Sequence, residues 1–158
     1  MQKRKIYLET TIFNYFFDAD RGVMHEATVK LFDEIKSGKF EVFTSSYVVE
    51  EISNAPELKR TKMLSLIKEY GLEVLVGNSE IECLADMYHM KGVIPANSHL
   101  DSLHIAVASI KEMDYIISLN FSHINRVKTK EGAAHVNASL GYNKEIVICT
   151  PMEVIENE

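Results

Sequence analysis

Residues 7–16 read YLETTIFNYF, and the fold of the whole chain turns on this stretch. Tyr7 and Leu8 close a short apolar strand, Glu9 follows as a carboxylate, and Thr10-Thr11 open a helix-like apolar run. In an open α/β sheet, ligands and metals are held beyond the carboxyl ends of the strands. Folding alone asks for no charge there. A structural role is also open to each residue: Glu9 as a strand-end acid accepting N–H groups from the turn, Thr10 and Thr11 as N-caps of the next helix.

Outward from this stretch, strand-like and helix-like segments alternate with no break in composition, no linker and no internal repeat. Short β-branched or aromatic runs mark strands at 5–9, 40–43, 72–76, 115–119 and 146–149. Helical periodicity covers 24–37, stopped by Gly38, and 57–70, opened by Pro56 and stopped by Gly71. It covers 79–91, closed by Gly92, and 97–112, with Leu103, Ala106, Val107 and Ile110 on the core stripe. Residues 123–143 read as a loop and then a helix interrupted near Gly132. Strand–helix alternation with short, continuously apolar strands predicts a mostly parallel sheet covered by helices on both faces.

The chain has 158 residues, 46% hydrophobic and 25% charged, which suits one globular domain over 1–158. No apolar run approaches the roughly 20 residues of a membrane helix, and the N-terminus has no signal-peptide pattern, so a cytoplasmic protein with no membrane partner is expected. Cys83 and Cys149 lack metal or disulfide spacing and read as small buried residues. A net charge of −6 argues against a surface that grips nucleic acid everywhere. It leaves room for an acidic metal nuclease with local basic patches, at Lys3-Arg4-Lys5, at Lys59-Arg60 with Lys62, or at Arg126, Lys128 and Lys130. Each patch is also explained as a solvated helix face. The glycines form neither GxGxxG nor a P-loop, and GxSxG and HExxH are absent, which removes those nucleotide, hydrolase and zinc-protease classes.

Three further positions join Glu9. In SSYVVEEIS (45–53), Ser45 or Ser46 caps a helix after strand two, and of the adjacent Glu50 and Glu51 one can face the cleft while the other faces solvent. In NSHLDSLHIAVA (97–108), Asp101 leads a helix; Ser98-x-x-Asp101 also reads as a capping box. His104, one turn on, can bond Asp101 or be a satisfied interior histidine. Asn120, in YIISLNFSHI (115–124), falls at the crevice end of strand four, where turn residues are also common.

Taken in order, these motifs resemble the PIN domain, in particular the VapC-like toxin nucleases. YLETTIFNYF stands for the strand-one acid motif, SSYVVEEI for Ser-plus-six Glu, DSLHIAVA for Asp-x-x-His-x-Ala, SLNFSHI for the Asn form of the fourth motif, and CTPMEV for the closing Thr-Pro. The resemblance implies a three-layer α/β/α sandwich with a five-stranded parallel sheet of order 3-2-1-4-5. It implies an endoribonuclease cleaving single-stranded RNA, a homodimer, and a small antitoxin protein that blocks the cleft. Glu9, Glu51 and Asp101 would hold Mg²⁺ or Mn²⁺, with Asn120 as a fourth catalytic residue. Thr10, His104 and Ser118 would support them, and Arg126 and Lys128 would meet the RNA backbone. Counting six from Ser45 selects Glu51 over Glu50. Two positions depart from the family pattern: Glu9 and Asn120 each stand where Asp is usual, which predicts weaker ion affinity and a single well-held ion. The alternative is a catalytically silent PIN-like module that binds RNA or protein.

Overall fold

The computed structural model describes residues 2–156. Five parallel strands, β1 (Arg4–Leu8), β2 (Phe40–Ser45), β3 (Glu73–Leu75), β4 (Tyr115–Ile117) and β5 (Val147–Cys149), form one sheet. The strand order is β3-β2-β1-β4-β5, as expected. Register places Ile6 beside Val42, Tyr7 beside Ile116, Phe43 beside Glu73 and Ile116 beside Ile148. The central strand is apolar on both faces because both are covered: Ile6, Tyr7 and Leu8 are wholly buried.

Helices fill the connections: α1 (Thr10–Phe17), α2 (Val23–Lys36), α3 (Ser46–Ser53), α4 (Glu57–Glu69), α5 (Ser79–Met90), α6 (His99–Ile110), α7 (Val127–Ser139) and α8 (Pro151–Val154). The arrangement is the three-layer sandwich. Phe32 of α2 stacks edge-on against Phe16 of α1 and Tyr70 at the end of α4, each with centroids 4.8 Å apart. Such pairs contribute about 0.5–1.5 kcal/mol beyond area burial.

The helix stops fall where read: Gly38, Gly71 and Gly92 adopt φ of 86°, 65° and 70°, a left-handed C-terminal turn that disfavours other residues. Four expectations are corrected. Helix α7 runs through Gly132 without interruption. A Cβ at Gly132 would come within 3.0 Å of Val93 Cγ2, so the glycine answers a close packing contact. Helix α6 is buried on all sides from Ser102 to Ser109, not along one stripe, because it lies between the sheet and its neighbouring helices. Cys83 is exposed, whereas Cys149 is buried and its thiol is pushed up to about 12 by desolvation. The cap of α1 is Glu9 itself, with Thr10 and Thr11 inside the first turn.

Candidate active site

The parallel sheet brings the ends of β1, β2 and β4 to one rim. Glu9 leaves β1 there, 2% exposed, and its Oε1 accepts hydrogen bonds from the Thr11 amide, the Thr11 hydroxyl and the Ser118 hydroxyl. The carboxylate folds back to cap α1. Burial pushes its carboxyl above the usual carboxylate range, although His104 and the hydrogen bonds from Thr11 and Ser118 pull it down.

Ser45 ends β2 and caps α3, accepting from the Val48 amide at 3.3 Å. Six residues on, Glu51 turns inward while Glu50 stays exposed. Glu51 Oε1 accepts from Thr10 Oγ1 at 2.7 Å and lies 2.6 Å from His104 Nε2. Burial raises the Glu51 carboxyl, but the hydrogen bond and charge of His104 and the Thr10 hydroxyl outweigh it and leave it lowered.

Asp101 sits in the first turn of α6 but forms no capping box: the Ser98 side chain makes no cap hydrogen bond. Its two oxygens are instead taken by Asn120 Nδ2 and His123 Nδ1, each at 2.9 Å. Burial raises the Asp101 carboxyl against the opposing effect of the two histidines.

His104 joins the cluster. It is wholly buried, with Nδ1 2.7 Å from the Tyr7 hydroxyl, which lies 2.7 Å from Ser45 Oγ. Burial alone would lower its pKa; the hydrogen bond to Glu51 and the charges of Glu9, Glu51 and Asp101 raise it instead. His104 is therefore the satisfied interior histidine, held by Tyr7 and Glu51; the hydrogen bond to Asp101 is not formed, because the oxygens of Asp101 are taken by Asn120 and His123.

No protein-family model matches the chain, and no curated protein matches it in sequence. A solved structure does. The structure of Mycobacterium tuberculosis VapC20, described as a toxin that cleaves the sarcin-ricin loop, aligns over 78% of this chain and 97% of its own, at 16% identity and a TM-score of 0.56. This chain has a VapC-like PIN fold.

Within the PIN fold the rim carries Glu9, Glu51, Asp101, Asn120, Thr10, His104 and Ser118 together. Arg126 and Lys128 are exposed, Arg126 at the N-cap of α7 only three residues beyond His123. Tyr7, Thr11 and His123 were not anticipated. Thr11 and His123 lie inside the motifs YLETTIFNYF and SLNFSHI, one position from Thr10 and three from Asn120; Tyr7 reads as an ordinary core aromatic, and nothing local marks its hydroxyl.

The donors here are oxygens, the hard ligands that Mg²⁺ and Mn²⁺ prefer. Oε2 of Glu9 and of Glu51 enters no hydrogen bond among the described residues. The donor chemistry thus fits a hard divalent ion. As the side chains stand, no three His, Cys, Asp or Glu groups among the described residues are gathered as an ion-holding set. The imidazole of His104 and the hydrogen bonds to Asp101 now offset the acidic charge.

Proposed function

We propose that this PIN-fold chain is a divalent-ion-dependent endoribonuclease acting on single-stranded RNA, and the toxin of a toxin–antitoxin pair in the cytoplasm. The observation that carries the reading is the convergence of Glu9, Glu51 and Asp101 around one buried histidine, at the strand ends of a VapC-like fold. Glu9, Glu51 and Asp101 would hold Mg²⁺ or Mn²⁺. Such an ion supplies a more acidic bound water and neutralises charge on a scissile phosphodiester.

The chain's own groups set up that chemistry. Thr11 and Ser118 fix Glu9, while Thr10 and His104 fix Glu51. Asn120 and His123 hold Asp101, and Tyr7 backs His104 from the core. A carboxylate whose rotamer is already locked loses little freedom on engaging an ion. The acidic cleft suits a small antitoxin with a cationic segment, and two copies would bring two clefts together in a homodimer.

A second reading, a silent RNA- or protein-binding module, draws on the same hydrogen bonds, because each carboxylate is already engaged within the protein and no ion-holding set is formed. One comparison separates the two. The purified chain should cleave RNA with Mn²⁺ or Mg²⁺ and stop in EDTA, and Asp101→Asn should abolish the activity. Equal cutting by both proteins would mark a contaminant, and no cutting of any RNA would favour the silent module.

A further inference from the structure

We propose that the groove between α1 and α4 seats the RNA strand beside the cleavage point, with Lys59 and Lys62 on its phosphates and Asn14 at a base edge. The groove has a volume of about 560 Å³ and is walled by Thr11, Asn14 and Phe17 on one side and by Leu58, Lys59 and Lys62 on the other. This inference rests on the nuclease reading for what happens at the carboxylates, while the binding itself is measured separately.

Position comes first. Thr11 lines the groove and also donates its hydroxyl to Glu9. Asn14 Nδ2 donates to the Thr10 carbonyl at 3.4 Å, and the Thr10 hydroxyl donates to Glu51. The groove wall is therefore one hydrogen bond from Glu9, through Thr11, and two from Glu51, through Asn14 and Thr10.

Charge is the second observation. The lining holds Arg21, Lys59 and Lys62 against a single acid, Asp18, which Arg21 neutralises at 2.9 Å. Lys59 and Lys62, one turn apart on the exposed face of α4, enter no ion pair among the described residues. On a chain of net charge −6 this is a cationic track leading to an acidic cleft. The two lysines attract the phosphates of a polyanion to this groove.

Surface chemistry selects a single strand over a duplex. Phe17 is 40% exposed and Leu58 71% exposed, so apolar walls stand between the cations. Unpaired bases can lie against such walls, whereas a duplex hides its base faces and offers mainly backbone.

The test uses the full chain without divalent ions and a short fluorescent single-stranded RNA, read by anisotropy over about 50–200 mM salt. Two lost phosphate contacts should make the log–log salt slope of K59A/K62A shallower by about 1.4, taking about 0.7 per contact for a single strand. The control pair K68A/K111A, with the same loss of charge, should keep the wild-type slope. Phe17→Ala should weaken binding about tenfold with the slope unchanged, as for a lost stacking contact. Equal slopes for the two double variants would overturn the proposal. So would an absence of RNA binding, or a polyglutamate peptide that binds as tightly as RNA through the same lysines. Groove-dependent binding without cleavage would sink the nuclease reading alone; cleavage with equal slopes would sink the groove alone.

Discussion

Replacing Tyr7 by Phe isolates the element that ties the core to the candidate site. The hydroxyl is wholly buried and lies 2.7 Å from both Ser45 Oγ and His104 Nδ1. In its imidazolium form His104 donates Nε2–H to Glu51 and Nδ1–H to Tyr7, which passes a hydrogen bond to Ser45. Removing the hydroxyl forfeits two hydrogen bonds of about 1 kcal/mol each and leaves His104 Nδ1 unpaired in the interior, a further 1–3 kcal/mol. Ser45 keeps its bond from the Val48 amide, so the low end of this range, about 3 kcal/mol, is the expected loss. With an m-value of about 2 kcal/mol/M, the urea midpoint should fall by about 1.5 M. The melting temperature should fall by about 6–12 °C for a chain of this size. Histidine NMR should show His104 titrating lower than in wild type. Tyr88→Phe is the control: that hydroxyl is bonded to Ser109 and Asn137, away from the carboxylates, so it should lose stability without moving His104. A loss under about 1 kcal/mol together with an unchanged His104 titration would show that the hydroxyl does not support the histidine, and the reasoning would fail.

The pH dependence of stability should be inverted relative to an ordinary acidic protein. His104 is raised by its acidic neighbours, so its contribution is complete below the ordinary histidine value of about 6.5 and is lost as pH rises through its folded value. Glu9 and Asp101, raised mainly by burial, act in the same direction, while Glu51 is lowered and loses its contribution only as pH falls into the acid range. Metal-free protein should therefore melt higher at about pH 6 than at about pH 8, and Mg²⁺ or Mn²⁺ should narrow the gap; a flat profile in differential scanning calorimetry would count against the charge balance described. Asn120→Asp sets a carboxylate against Asp101 Oδ1 in place of an amide donor at 2.9 Å, so the metal-free melting temperature should fall by about 3–6 °C while the stabilisation by Mn²⁺ grows. Gly77→Ala places a Cβ against the Tyr47 hydroxyl oxygen, closer than any real contact, and should lose about 1–3 kcal/mol in thermal unfolding without changing RNA binding.

The strand pattern was legible because parallel strands covered on both faces need continuous apolar runs, which 5–9, 40–43 and 115–119 supply. Glu51 could be told from Glu50 because Ser45 sets the start of α3 and hence the phase of its turns. Helix α7 was misjudged at Gly132 because its reason, the Val93 side chain, lies far away in sequence. Asp101 looked like a local capping partner because Ser98 stands at cap spacing. Tertiary contact gave its oxygens to Asn120 and His123 instead.

The order of apolar runs and turn residues by itself determined the α/β architecture and the places where acids leave the strands, since periodicity and helix ends are local properties of the chain. What only tertiary structure decided is which donor each acid meets. Glu9 folds back onto α1, Glu51 pairs with His104, and a core tyrosine completes the line to Ser45, because hydrogen-bond partners far apart in sequence are chosen by how the layers pack.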